Sequence, residues 1–276
     1  MTAKSWTVVV RRDDGIERAL QPNHIVFCTG QSDEPHIPNF PGHSQFKGTV
    51  YHGSERSDAS DTDVTGKRVV IVGTGNSGHD IAQNSYENGA SSVTMIQRSG
   101  TYVLSAEFGG EMLHAGIYDD FGPPTVDADI FSQSLPLPVQ FALYVGMASK
   151  IKEREKAMLA GLEKAGFELD FSHDGSGLFR KYLTRGGGYC IDVGASKLIC
   201  DGKIKIVQCK EGIIGLDEYN LILNSGSTLE AGVVVLATGH DNMRTSTRKI
   251  LGDEVAEMAK DVWDLDGEGE LNAVRS

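Results

Sequence analysis

Positive charge is in short supply in this chain. Its 26 lysines and arginines stand against 38 aspartates and glutamates, a formal net charge of −12. That balance argues against nucleic acid or an anionic membrane surface as a partner. Long apolar runs are missing too, and no stretch approaches the ~18–20 residues that a membrane span needs. The opening Met1-Thr2-Ala3-Lys4-Ser5-Trp6 lacks a basic region followed by an apolar one, so it does not read as a signal peptide. Cysteine is sparse and unpatterned. Cys28, Cys190, Cys200 and Cys209 form no C-x-x-C pair and no zinc spacing. No metal site is expected, and the thiols read as reduced and structural, in a cytoplasmic protein. Proline is scarce as well, and Pro35, Pro38 and Pro41 crowd into one segment. A chain of 276 residues can nevertheless bury a substantial core as one large domain or two.

What is present centres on residues 67–99. Val69-Val70-Ile71-Val72 is a continuous apolar run, as expected for a strand buried on both faces. Gly73-Thr74-Gly75-Asn76-Ser77-Gly78 follows, then a helical pattern from about Ser77 to Asn88 and a second short strand, Val93 to Ile96. Strand, G-x-G-x-x-G, helix, strand is the order of a dinucleotide-binding unit. Gly73 permits the sharp turn, Gly75 lets backbone approach a pyrophosphate, and Gly78 allows close helix–sheet packing. The helix start offers free N–H groups and a positive dipole end to the phosphates. At the end of the second strand, where NAD sites carry an Asp or Glu on the ribose, this chain has Arg98 and Ser99. A guanidinium can grip a 2′-phosphate, which favours NADP over NAD, although a strand-end arginine can also be merely solvated.

Elsewhere the chain reads as follows. Trp6 to Arg11, a turn at Asp13-Asp14-Gly15 and Glu17 to Leu20 form a hairpin, and Ile25-Val26-Phe27 a third strand ending in Cys28-Thr29-Gly30. The same phrase recurs where Val233 to Leu236 runs into Ala237-Thr238-Gly239. The two copies read as two crossings between one domain and another, or as two unrelated strand ends; glycine there permits close approach of backbone to a ligand. Residues 31–61 read as an extended linker and contain Phe46-x-Gly48-x-x-x-His52. His52 is either an acid–base group suited to neutral pH or a hydrogen-bonding peg that fixes the loop. An insertion spans about 101–185, with one or two helices over Val139 to Leu162. Val139, Leu143, Val145 to Met147, Ile151, Met158 and Leu159 form its core stripe, and Lys152 to Lys156 its solvated face. Arg185-Gly186-Gly187-Gly188 is a flexible loop that lines a ligand or simply turns, and Ile204 to Val207 is a further strand.

In their order, Cys28-Thr29-Gly30, Phe46-x-Gly48-x-x-x-His52, Gly73 to Gly78 followed by Asp80-Ile81-Ala82, and Ala237-Thr238-Gly239 resemble the flavin-containing monooxygenases, relatives of the Baeyer–Villiger enzymes. The resemblance implies an α/β fold in which a Rossmann-type NADP-binding domain is inserted in a two-dinucleotide-domain flavoprotein fold. Residues 1–62 would be a remnant of the FAD-binding domain plus linker. Residues 63–235 would be the NADP-binding domain, and 236–276 the return to the FAD-binding domain. It also implies FAD and NADPH as cofactors. O2 and a small nitrogen- or sulfur-containing nucleophile would be the substrates, joined through a C4a-hydroperoxyflavin. Gly73, Thr74, Gly75, Asn76, Ser77 and Gly78 would hold the pyrophosphate. Asn76 and Ser77 are also candidates for contacts to the nicotinamide half. Arg98 and Ser99 would hold the 2′-phosphate, and Thr29, Gly30, Thr238 and Gly239 are further cofactor-site candidates. Phe46, Gly48 and His52 carry the family fingerprint.

Three departures accompany the resemblance. Arg56 stands where the fingerprint has an aromatic, Cys28 replaces an alanine, and no G-x-G-x-x-G precedes Trp6. The expectation is therefore a partial chain that is active in a longer form, and no catalytic residue is assigned. Two other readings stand beside it. One is a flavin disulfide reductase, which needs a redox cysteine pair; the other is a non-catalytic NADP(H)-binding protein.

Overall fold

The structure, a computed structural model, describes residues 6–28, 30, 32–55, 63–259 and 262–272. The chain divides into two compact units, residues 1–31 and 32–276. In the first, β1 (Val8–Arg11) and β2 (Glu17–Leu20) pair antiparallel, Val8 opposite Leu20 and Arg11 opposite Glu17. The strand expected at Ile25–Phe27 does not form, and Val26 is 80% exposed. A short apolar run becomes a strand only where a neighbour satisfies its backbone groups, and no described strand pairs with this one.

The second unit opens with β3 (Ser32–Pro35), β4 (Thr49–His52), β5 (Arg68–Val72), α1 (Asn76–Glu87), β6 (Ser92–Gln97) and β7 (Tyr102–Ser105). A helical stretch follows: α2 (Phe108–His114), α3 (Thr125–Ser134), α4 (Leu137–Arg154), α5 (Lys156–Lys164) and α6 (Leu178–Arg185). Then come β8 (Tyr189–Asp192), α7 (Ala195–Cys200), β9 (Ile204–Gln208), β10 (Ile213–Leu216), β11 (Asn220–Leu223), β12 (Thr228–Glu230) and β13 (Val233–Leu236). The last elements are β14 (His240–Asn242), α8 (Arg244–Leu251) and α9 (Asp253–Met258).

A five-stranded parallel sheet in the order β4-β13-β5-β6-β9 forms the frame. Alternating residues of each strand feed two cores. Val69, Ile71, Val93, Met95, Val233 and Val235 face one way, against Ala82 of α1, Leu159 and Leu162 of α5, and Ile199 of α7. Val70, Ile96, Val234 and Leu236 face the other way, against Phe46 and the β10-β11-β12 meander. Burial on both faces is why these strands read as unbroken apolar runs; each such side chain contributes about 1.5–3 kcal/mol.

The expected stripe holds at Ile151 and at Leu159 of α5 but is displaced over the first half of α4. Leu137, Phe141, Ala148 and Ile151 are buried, whereas Val139 and Leu143 lie exposed. The helix is apolar over most of its circumference, so its inner face is chosen by α2 and α6, which pack on it. Glu155 also departs from the solvated face expected of it. It sits buried at the junction of α4 and α5, where its Oε1 accepts the Ser105 N–H at 2.8 Å. Among the described residues no helix is long and apolar enough to cross a membrane.

Candidate functional site

β5 lies between β6 and β13. The chain leaves β5 for β6 on one side, and β13 later joins on the other, so strand order reverses at this point. Turns that leave such a pair open a crevice at the carboxyl ends of the strands. Val72 and Leu236 are in register, so Gly73–Gly78 and Ala237–Gly239 emerge side by side.

The three glycines of the first turn answer different needs. A Cβ on Gly73, which has φ +123°, would stand 2.3 Å from the Ala237 carbonyl oxygen. One on Gly78 would stand 2.5 Å from the Gly73 carbonyl oxygen. Both are packing requirements inside the protein. Gly75 has an ordinary φ of −80°, and a Cβ there would meet nothing nearer than the Tyr189 carbonyl oxygen at 3.7 Å. Its open face is a cradle that a side chain would fill. Directly after it α1 begins with no side chain capping its first turn, an end suited to an anion.

Thr74 is buried, and its hydroxyl hydrogen-bonds that of Thr101 at 2.8 Å, tying the turn to the start of β7. Asn76 Oδ1 accepts the Ile191 N–H at 2.8 Å, tying α1 to β8. Ser77, Arg98 and Ser99 are exposed, the last two directly after β6. Gly30 lies in the first unit at φ +88°, and Thr29 lies outside the described residues. Thr238 donates its hydroxyl to the His36 carbonyl, and Gly239 has φ +81° with open space where a Cβ would point. Beyond these positions β3 and β14, the strands that follow the two x-Thr-Gly phrases, pair antiparallel with each other.

The fingerprint residues join β4 to β13. Phe46 is buried in the second core, and a Cβ on Gly48 would stand 2.5 Å from both the Gly232 carbonyl oxygen and the Phe46 ring. His52, 3% exposed, donates from Nε2 to the Gly239 carbonyl at 3.0 Å. Its Nδ1 accepts from the Ser54 hydroxyl at 2.8 Å and from the Ser54 N–H at 3.2 Å. Burial pushes its pKa down, and the neighbouring His240 and His36 add to this against the Gly239 hydrogen bond and Glu55. A neutral ring with its proton on Nε2 meets every contact, and in that state His52 clamps the ends of β4 and β13 together.

Two groups that the sequence reading left aside also belong to this neighbourhood. His79, on α1, is buried with Nδ1 on the Gly75 carbonyl at 3.1 Å and its ring edge-on to Phe167. Burial lowers its pKa. Cys190 of β8 is a buried free thiol whose pKa burial pushes up, with Asp192 and Asp80 adding to the effect. Cys209 is raised in the same way, chiefly by burial. Thiols in such settings are packing groups, the opposite of the electropositive surroundings that make a reactive thiolate.

Comparison with known proteins bears on this arrangement. Residues 1–117 match the family model described as Flavin-binding monooxygenase-like. The chain is 30% identical over 216 residues to the protein named Probable indole-3-pyruvate monooxygenase YUCCA3 of Arabidopsis thaliana, covering 78% of this chain and 43% of that one. It is 27% identical over 242 residues to flavin-containing monooxygenase 5 of Rattus norvegicus, covering 87% of this chain and 40% of that one. A solved structure of oxidized steroid monooxygenase bound to NADP aligns with a TM-score of 0.59 and 22% identity, over 89% of this chain and 51% of that one. That likeness is one of fold. The chain spans less than half the length of the curated relatives it matches. Over residues 1–117 the chain thus matches the flavin-binding monooxygenase-like family, and along most of its length it is similar to flavin-containing monooxygenases.

Proposed function

We propose that this chain is the nicotinamide-nucleotide-binding part of a FAD- and NADPH-dependent monooxygenase. The enzyme transfers one oxygen atom from O2 to a small nitrogen- or sulfur-containing nucleophile. The observation that carries the reading is the crevice where strand order reverses, with Gly75 keeping one face clear beside the uncapped start of α1. The pyrophosphate lies along the backbone of Gly73–Gly78, where the N–H groups of the first turn of α1 meet its charge. Asn76 and Ser77 contact the phosphates or the nicotinamide half, and Arg98 with Ser99 holds the 2′-phosphate. Thr29, Gly30, Thr238 and Gly239 are further candidates for cofactor contacts. His52, Phe46 and Gly48 keep the wall of the crevice in place. FAD, when bound and reduced by NADPH, supplies the activation of O2; the protein orients the two cofactors and keeps water away.

The family description, the names of the relatives and the NADP of the steroid monooxygenase structure support this reading. The test is titration of the folded chain with NADPH, followed by fluorescence. Saturable binding is expected, and Arg98→Glu is expected to weaken it about tenfold or more, the loss of a charge-assisted phosphate contact. A folded sample that binds no NADPH refutes the proposal.

A further inference from the structure

Gly75 must present a bare face to the crevice, so it carries no side chain to stiffen its own backbone or to cap α1. The residues on either side of it are tied down by their own side chains. Thr74 is held through its hydroxyl to that of Thr101 at 2.8 Å, and Asn76 through Oδ1 to the Ile191 N–H at 2.8 Å. For the glycine between them the tie comes from one helical turn further on. The Gly75 carbonyl accepts the His79 backbone N–H at 3.1 Å, the ordinary first bond of α1, and is met also by His79 Nδ1 at 3.1 Å.

The ring that makes this second bond is itself held in place. His79 is 1% exposed and stands edge-on to the buried Phe167, with ring centroids 5.6 Å apart. A carbonyl only accepts, so Nδ1 carries the proton. Nε2 makes no hydrogen bond among the described residues. Burial, the largest influence on the ring, favours its neutral form, against the Gly75 hydrogen bond and against Asp192 at the end of β8 and Asp80 on α1. The ring is thus the opposite tautomer to that of His52, and it brings no charge to the crevice. What it fixes is a peptide plane. The peptide between Gly75 and Asn76 is planar, so a carbonyl pinned toward the body of α1 leaves the Asn76 N–H pointing the other way, out of the helix start.

We infer that His79 is the positioning residue of the glycine turn: its Nδ1–H holds the Gly75 carbonyl so that the Asn76 N–H stays aimed at the pyrophosphate. The inference rests on the nucleotide reading given above and adds to it a residue that acts through the backbone. Without the ring, the permissive glycine would have to be ordered by the ligand itself, at a cost in affinity.

Volume and hydrogen bonding can be pulled apart at this position. His79→Leu fills the space and removes the donor. His79→Asn leaves a void beside Phe167 but keeps a donor for the same carbonyl. The reach is available in this helix, where Asn88 Nδ2 donates to the Asn84 carbonyl at 2.9 Å. The experiment measures Kd for NADPH and Tm in the parent chain, in both variants and in Ser85→Ala. The last removes a fully buried hydroxyl of α1 that has no hydrogen-bond partner among the described residues. His79→Leu should melt close to the parent yet bind NADPH about fivefold more weakly, the loss of one neutral hydrogen bond. His79→Asn should melt lower yet bind within about twofold of the parent, and Ser85→Ala should leave affinity unchanged. Affinity that falls in step with Tm across the series, or a His79→Leu chain that binds like the parent, overturns the assignment of His79 and leaves the nucleotide reading standing. Proton–nitrogen correlation NMR of the imidazoles in the parent chain reads the proton directly. A His79 ring protonated on Nε2 alone overturns the assignment even where His79→Leu fails to fold. A parent chain that binds no NADPH overturns both readings.

Discussion

Close packing and an open cradle, the reasons for glycine at 73 and at 75, can be separated by one pair of substitutions. In Gly73→Ala the new methyl meets the Ala237 carbonyl oxygen at 2.3 Å, on a residue with φ +123°. Backbone strain of roughly 1–3 kcal/mol adds to overpacking of about 1–3 kcal/mol, because the obstacle is backbone of the neighbouring strand end and cannot rotate aside. A loss of roughly 3 kcal/mol would lower Tm by about 6–12 °C for a unit of this size. In Gly75→Ala the methyl makes only an ordinary contact, 3.7 Å from the Tyr189 carbonyl oxygen, on a residue with φ −80°. Alanine is a poorer helix N-cap than glycine, at several tenths of a kcal/mol, but it also gives up less chain entropy on folding, worth about 0.4–1 kcal/mol. The two nearly cancel, so stability should stay within about 0.5 kcal/mol of the parent. Nucleotide affinity should nevertheless fall about tenfold or more, since the methyl occupies the cradle. Thermal melts and NADPH titrations of both variants check this. The reasoning fails if Gly75→Ala is as destabilised as Gly73→Ala, or if it binds NADPH as well as the parent chain.

Two further predictions concern pH. His52 and His79 are both held below their ordinary pKa chiefly by burial. The unfolded chain therefore binds more protons once pH falls below about 6.5, and stability should decline from there toward the folded values. Urea midpoints at pH 7.5 and 5.5 test this; a flat profile would contradict the buried neutral state, and His79→Gln should shallow the decline. Asp174 is the opposite case. Burial works against its ionisation, but hydrogen bonds from Arg180 and Ser176 outweigh that and hold its pKa down to about 2. Its contribution is complete above about 3.8 and is lost as pH falls toward about 2, on the order of 2 kcal/mol in all. In Arg180→Gln, carboxylate titration by NMR should show the pKa rising; an unchanged value would show that the arginine does not set it.

The glycine turn was legible because chemistry and periodicity coincide there. An apolar run, three spaced glycines and an amphipathic segment lie within one short stretch, and β5, α1 and β6 appear within a residue of their expected places. β4 was hidden. Thr49-Val50-Tyr51-His52 sits in a proline-rich segment, and its partner is β13, far along the chain. The strand expected at Ile25–Phe27 shows the converse, an apolar run whose neighbours do not supply a sheet. Glu155 was assigned to solvent by its charged neighbours, yet the break between α4 and α5 turns it onto Ser105. Of the site, the residues of the turn could be named from spacing alone. Thr101 and Tyr189 could not, since they meet the turn from distant elements, Thr101 through a hydroxyl pair with Thr74 and Tyr189 through its carbonyl facing Gly75. The R-G-G-G run was a signal of a loop, without a sign of what it faces.

The strand order also has a consequence in time. β13 wedges between β4 and β5, both of which leave the ribosome far earlier. While synthesis proceeds, β5, β6 and β9 can zip together, but β4 must wait unpaired until residue 236 has emerged. Such late, long-range closure is slow and leaves sticky edges exposed meanwhile. A ribosome that stalls before Val233 would release a nascent chain with its central seam still unstitched, a natural client for a chaperone.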